Sequence, residues 1–353
     1  MPQLNLERFI REDIKALKPY YIESFDCDIK LHANENPFPP SPEIQRVFIE
    51  SLSEIELNRY PEPSSKELRS ILSERLGVSQ ERLVVGNGSD ELIFLLMQVF
   101  CKPGDAVAFP DPTFAMYSII AKGMGLKPVA FPLDDQWDFH AEPFLKLAQQ
   151  NGVQIIFISY PNNPTGNCFS KEQVKKIIEE FEGIVVLDEA YFDFSQKSFI
   201  DIIEAHNNLV ILRSLSKIGL AALRVGFGVA HSKIIDEINK VRLPYNSNAV
   251  SQKFSAKALS NFPIIQEQID KIRYEQKRLY AALSQIQSIT VFSSDSNFIL
   301  FRSESEIFSG LVDAGILIRD LNSHPRLNSC LRVTVGSPEE NDAFIKRIKL
   351  LAN

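Results

Sequence analysis

Residues 208–228 read "NLVILRSLSKIGLAALRVGFG". The run LVILR is uninterrupted apolar sequence closing on an arginine, the pattern of a strand buried on both faces. Lys217 follows just past the strand's end, where an open α/β sheet exposes its working groups. A solvated lysine needs no such setting; a lysine used for its amine chemistry does. Upstream the same alternation recurs. RLVVG leads into SDELIFLLMQVF, DAVAFPDP into TFAMYSIIAKGMG, and VQIIFISYP through a turn into SKEQVKKIIEEF. GIVVLDEAY, NLVILRSLSK and RVGFGVA complete the series. Short Val/Ile-rich runs alternating with helical patterns predict an α/β fold: a mostly parallel sheet with helices on both faces.

A chain of 353 residues predicts two domains of ordinary size. Past residue 235 the pattern changes. A helical stretch is interrupted by PYNSN and resumes as AVSQKFSAKALSNF. The sequence then reads strand NFILFR, helix EIFSGLVDAG, strands ILIRD and CLRVTV, and a last helix. That helix opens with Ser337 as N-cap, Pro338 at its first position and Glu340 placed for a capping box. The expected division is an irregular arm plus part of a small domain over 1–50, a large α/β domain over 51–243, and a smaller α+β domain over 244–353.

Apolar and charged fractions of 44% and 24% fit a soluble globular protein with a sizeable core. A formal charge of -7 and the lack of a basic stripe with interleaved aromatics argue against nucleic acid. No apolar run approaches membrane-spanning length, and the N-terminal MPQLNLERFIRED is too charged for a signal peptide. Cys27, Cys101, Cys168 and Cys330 are scattered, as expected of reduced thiols in a cytoplasmic protein. The five histidines show no ligand spacing, so no metal is expected.

Several strand ends carry residues suited to one small molecule. In LVVGNGSDE, Gly88, Ser89 and Asp90 form a strand-to-helix turn whose free backbone N–H groups suit a phosphate. Taken alone such a turn is more often structural. Phe114, just past a strand, is placed to stack on a planar ring, although a core role is the ordinary reading. The turn in ISYPNNPTGN aims an amide at a ligand oxygen. Asp188 closes four apolar residues in IVVLDEAY, and a carboxylate so buried needs a cation or strong hydrogen bonds. Tyr191 lies three residues on. A partly desolvated Lys217 captures a carbonyl as a Schiff base, while Ser214, Ser216 and Arg224 suit a phosphate. Aldehyde capture, ring-nitrogen pairing, stacking, phenolic contacts and phosphate binding together describe pyridoxal 5'-phosphate.

At these residues the sequence resembles the fold-type I aminotransferases over nearly its whole length, through NNPTG, LDEAY and SLSK…LRVGF. The resemblance implies the Schiff-base role for Lys217, a pyridine-nitrogen partner in Asp188, and ring-oxygen contacts from Asn163 and Tyr191. Ser89, Asp90, Ser214, Ser216 and Arg224 would surround the phosphate, although residues 217–224 span one position fewer than is usual in the family. LHANENPFPPSP, NRYPEP, LIRD and LRVTVG are similar to the histidinol-phosphate aminotransferases. That likeness implies a homodimer with shared active sites, in which Tyr60 reaches the partner's cofactor phosphate. It also implies that Arg332 and Arg319 hold a substrate carboxylate or phosphate, with Tyr20 and Asn34 nearby. The implied reaction exchanges an amino group between histidinol phosphate and 2-oxoglutarate, with glutamate as donor. An aromatic aminotransferase and a threonine-phosphate decarboxylase could use much the same scaffold. A catalytically silent ligand-binding relative would also keep the fold, but intact Lys217 and Asp188 count against it.

Overall fold

The computed structural model describes residues 5–17, 19 and 25–352, so Tyr20 lies outside the described residues. The strands in chain order begin with β1 (Ile29–Leu31), β2 (Leu83–Asn87), β3 (Ala106–Asp111), β4 (Lys127–Pro132), β5 (Val153–Ser159) and β6 (Ile184–Asp188). They continue with β7 (Leu209–Ser214), β8 (Val225–Ala230), β9 (Ile289–Val291), β10 (Phe298–Ser303), β11 (Ile316–Asp320) and β12 (Cys330–Thr334). One sheet has the order β2-β8-β7-β6-β5-β3-β4 and the other β1-β11-β12-β10-β9. In the first, β7, β6, β5, β3 and β4 pair parallel, and β8 runs antiparallel to both its neighbours. This is the mostly parallel α/β sheet that the alternating sequence predicts.

Strand residues divide by parity between two cores. Ile156, Ile158, Val185, Leu187 and Ile211 pack on one face, with helices such as Lys171–Glu180. Ile155, Phe157, Val186, Val210 and Leu212 pack on the other, with the helix Ser89–Phe100. Burying each such side chain stabilises the fold by about 1.5–3 kcal/mol, so these strands tolerate polar residues only at their ends. β8 fits beside the first βα turn because it carries glycine: a Cβ on Gly226 would lie 2.3 Å from the Ser89 amide nitrogen.

The last helix, Pro338–Leu351, begins with the expected Ser337–Glu340 capping box. Other elements differ from the sequence reading. The first 50 residues are not wholly irregular: β1 pairs parallel with β11, and Pro42–Ser53 is a helix capped by Ser41. Lys66–Leu76 and the 22-residue helix Phe262–Leu283 are additional. The long helix buries Ile265, Ile269, Ile272, Leu279 and Leu283, a helical spacing present in the sequence but obscured by the prolyl break at its start. β4, KPVAFP, is hidden by its two prolines, which an edge strand paired only with β3 can accept.

Candidate active site

A cavity of about 610 Å³ opens at the C-terminal ends of the parallel strands and is closed from the other side by the five-stranded sheet. It is lined by Gly88, Ser89, Asp90, Phe114, Asn163, Asp188, Tyr191, Ser214, Ser216, Lys217 and Arg224. Asn34, Arg319 and Arg332 line it as well. Tyr60 does not. It is exposed, stacks on Tyr245 at 4.6 Å, and borders a separate surface hollow of about 740 Å³.

Asp188 ends β6 and is 3% exposed. Its Oδ2 accepts a hydrogen bond from the Tyr117 hydroxyl at 2.9 Å, and its Oδ1 accepts one from the Ala190 N–H at 3.2 Å. Burial pushes its pKa up to about 6, and these two donors only partly offset that. The next residue is also pushed up by burial, but it has a cationic partner to oppose the shift. Glu189 is equally buried but takes two bonds from Arg213, at 2.8 and 3.1 Å, with further donors at Ser198 and the Phe199 N–H. The Arg213 guanidinium also lies 3.6 Å from the centre of the Phe192 ring. Glu189 is satisfied within the fold; among the described residues Asp188 has no hydrogen-bonded cation, only the more distant charge of Lys217, and it faces the cavity.

Lys217 sits in the short turn Leu215–Ile218, which Ser214 caps by accepting from the Ser216 N–H at 3.2 Å. The turn ends at Gly219, whose φ of +102° a side chain would strain. The Lys217 ammonium lies 5.7 Å from the centre of the Tyr191 ring. Tyr191 is buried, and its hydroxyl oxygen accepts from the Asn34 amide at 2.9 Å, which leaves the hydroxyl proton to donate elsewhere. Asn34 is itself fixed, since Thr334 and Asn297 hold its backbone and side chain.

At the opposite end, Gly88 with φ +80° precedes the helix Ser89–Phe100. A Cβ there would lie 2.7 Å from the Arg224 guanidinium. Arg224 adopts φ +53°, a left-handed conformation costing roughly 1–2 kcal/mol for a residue with a side chain. It bonds Asp90 at 3.2 Å in an exposed pair worth little by itself. The shorter 217–224 segment therefore still delivers this arginine to the cavity, beside free helical N–H groups.

The two asparagines of NNPTG divide their work. Asn162 is fully buried and braces the turn through Thr113, Thr165 and the Pro112 carbonyl. Asn163 faces the cavity and accepts from Arg332 Nη1 at 2.5 Å. Arg332 also donates to the His32 carbonyl at 2.7 Å. It is 8% exposed, not solvent-facing as its alternation with Leu331 and Val333 suggests, because both faces of β12 are covered. Arg319 on β11 stands directly opposite it in the register. Two guanidinium groups at paired positions of neighbouring strands repel each other. They make sense around an anion.

Tyr117 and His32 escape the sequence reading. Tyr117 lies three residues after Phe114, in the first turn of the helix Met116–Gly123, and the two rings meet edge to face at 5.6 Å. His32 lines the cavity, and burial lowers its pKa, opposed by Glu35 and reinforced by Arg319 and Arg332. Among the described residues, no cluster of metal-ligating side chains gathers and no helix is long and apolar enough to cross a membrane.

Residues 27–348 match the sequence model of the family described as aminotransferase class I and II. The histidinol-phosphate aminotransferase of Thermoanaerobacter pseudethanolicus is 39% identical over 349 residues, 98% of this chain and 99% of its own. The crystal structure of the histidinol-phosphate aminotransferase from Clostridium acetobutylicum superposes with a TM-score of 0.84 at 26% identity, covering 92% of this chain and 99% of that one. The Sinorhizobium meliloti enzyme of the same name, solved in complex with pyridoxal-5'-phosphate, shares the fold with a TM-score of 0.87 at 21% identity and 97% coverage of both chains. With a strand-end lysine, a buried carboxylate and opposed arginines on one cavity, the chain belongs to the class I and II aminotransferases, among the histidinol-phosphate aminotransferases.

Proposed function

We propose that this enzyme transfers the amino group between histidinol phosphate and 2-oxoglutarate, with pyridoxal 5'-phosphate as cofactor, in histidine biosynthesis. The observation that carries the substrate reading is the opposition of Arg319 and Arg332 at one register position inside the cavity. A phosphate dianion rewards two guanidinium groups more than a carboxylate does, through its greater charge and third acceptor oxygen.

The residues fit the cofactor. Asp188 is a buried carboxylate short of a cation, and a protonated ring nitrogen supplies one. The cradle of Gly88, Ser89 and Arg224, where a Cβ would collide, suits the phosphate. Bound there, pyridoxal phosphate supplies an aldehyde that captures amines and a ring that absorbs carbanion charge.

The chain's own residues do the rest. Lys217 Nζ takes the proton from the substrate Cα and returns one on the far side of the exchange. Asp188 keeps its carboxylate charged against a proton-bearing partner. The Tyr191 hydroxyl and the Asn163 side chain aim donors at a ring oxygen, while Arg332 and Arg319 orient the substrate's anionic groups. Phe114 covers one face. These assignments rest on the cavity geometry together with the motif likeness.

We further propose a homodimer in which Tyr60 completes the partner's site. In its own chain this tyrosine is 80% exposed and lies outside the cavity, in keeping with a role across an interface. Unpaired Cys27, Cys101, Cys168 and Cys330 suit a reducing cytoplasm.

The test is a set of amino-donor half-reactions with histidinol phosphate, unphosphorylated histidinol, phenylalanine and threonine phosphate. Histidinol phosphate should react fastest and far faster than histidinol. Equal rates with those two would favour a general aromatic aminotransferase. Release of carbon dioxide from threonine phosphate would favour a decarboxylase.

A further inference from the structure

Residues 321–329 join β11 to β12, the strands that carry Arg319 and Arg332. The connection is internally ordered. His324, Leu327 and Cys330 donate in turn to the carbonyls of Leu321, His324 and Leu327, and the Ser329 N–H bonds the Asn322 side chain at 2.5 Å. It also crosses to the other sheet. His324 Nε2 lies 3.0 Å from Asp111 Oδ1 at the end of β3, and the Arg326 guanidinium donates to the Leu133 carbonyl just past β4. His324 Nδ1 accepts from the Arg326 N–H at 3.3 Å. In the neutral ring this puts the proton on Nε2, which therefore donates to Asp111. His324, Leu321 and Leu327 line the cavity beside the arginines.

An ordered connection tied at two points to strands of the other sheet leaves the β11–β12 pair little freedom to shift over the cavity. We propose that His324 is a positioning residue: its bridge to Asp111 latches this loop and holds Arg319 and Arg332 at the spacing that receives the substrate's anionic group. The inference rests on the reading of those arginines as an anion site. His324 itself need not touch the substrate. Misplacing a binding group by about an ångström is enough to weaken an oriented complex severely.

The test is steady-state kinetics on the full-length holoenzyme with histidinol phosphate and 2-oxoglutarate, alongside thermal unfolding. His324→Ala should raise KM for histidinol phosphate roughly tenfold with kcat within about twofold, the mark of lost uniform binding. His324→Gln, whose amide N–H can still reach Asp111, should recover most of that loss. Asp111→Ala should match His324→Ala, and the double variant should be no worse than either, because both remove one bridge. An unchanged KM in both alanine variants, additive effects, or no recovery with glutamine would overturn the latch. A lower melting temperature with unchanged KM would do the same. If His324→Ala does not fold, the KM of Asp111→Ala reads the same bridge from its other side. Arg319→Ala belongs in the series: if it leaves KM unchanged, the anion site falls and the latch with it. If Arg319→Ala raises KM while His324→Ala does not, only the latch falls.

Discussion

Asp188 and Arg332 face one cavity from opposite sheets, and they are held there by different means. Asp188 ends a parallel strand whose preceding residues, Val185, Val186 and Leu187, are fully buried, so the rigid sheet presents its carboxylate directly. Its bonds to Tyr117 and Ala190 both stay within the half of the molecule built on the seven-stranded sheet. Arg332 is buried too, but it donates to Asn163 and to the His32 carbonyl, which belong to segments remote in sequence. The large-sheet wall is thus fixed from within its own half of the molecule, whereas the small-sheet wall is also tied across the cavity to the other half. Chemistry that must not move suits the first wall. Recognition of an anion that must enter and leave suits the second.

If that contrast holds, damage to the large-sheet wall should strike turnover, and damage to the small-sheet wall should strike substrate choice. The largest effect should come from Lys217→Ala. Loss of the group proposed to move the proton should lower kcat by roughly ten-thousandfold and remove the expected lysine-linked absorption band of the cofactor, read by spectroscopy. Mixed with chains impaired at Tyr60, these inactive chains should regain part of the activity if sites are shared between subunits. No regain after verified subunit exchange would leave Tyr60 outside the site.

Asp188→Asn comes next, with an expected loss in kcat of roughly a hundredfold to a thousandfold while the cofactor still binds. Its pH behaviour sharpens the point. The free protein's carboxyl has a pKa of about 6, so it is charged above that pH and neutral below it. Only the charged form pairs with a protonated ring, so cofactor affinity should fall as pH drops through about 6 in the wild type. The asparagine variant should lose that dependence. Titrations of both proteins with pyridoxal phosphate would show parallel curves if Asp188 serves only the core.

The smallest of the three concerns the small-sheet wall. Arg319→Ala should reduce kcat/KM for histidinol phosphate by about thirtyfold or more, the lower end of what losing one partner of a desolvated charge pair costs, and reduce glutamate use much less. Arg332→Ala should lower both. Equal losses for the two substrates in Arg319→Ala would erase the distinction between the walls.

The same division governs what could be read in advance. The parallel sheet was legible because fully buried strands write themselves as continuous apolar runs, and the residue that ends each run must be polar for a reason. Lys217, Asp188 and the 88–90 turn could be singled out on that ground. Tyr117 could not, because a tyrosine on an apolar helix reads as core until the strand beneath it is placed. β4 and β1 were missed because an edge strand with two prolines and a three-residue strand carry almost no periodic signal.

The sequence by itself determined which groups stand at the strand ends, since alternation, capping and turn residues act over a few neighbouring positions. It could name Arg319 and Arg332 as candidates but could not set them opposite each other, nor join Asn163 to Arg332 or His324 to Asp111. The last two pairs are far apart in the chain, and the two arginines sit on separate strands. Their meeting depends on strand register and on how two sheets close over one cavity, which only the packed tertiary structure decides.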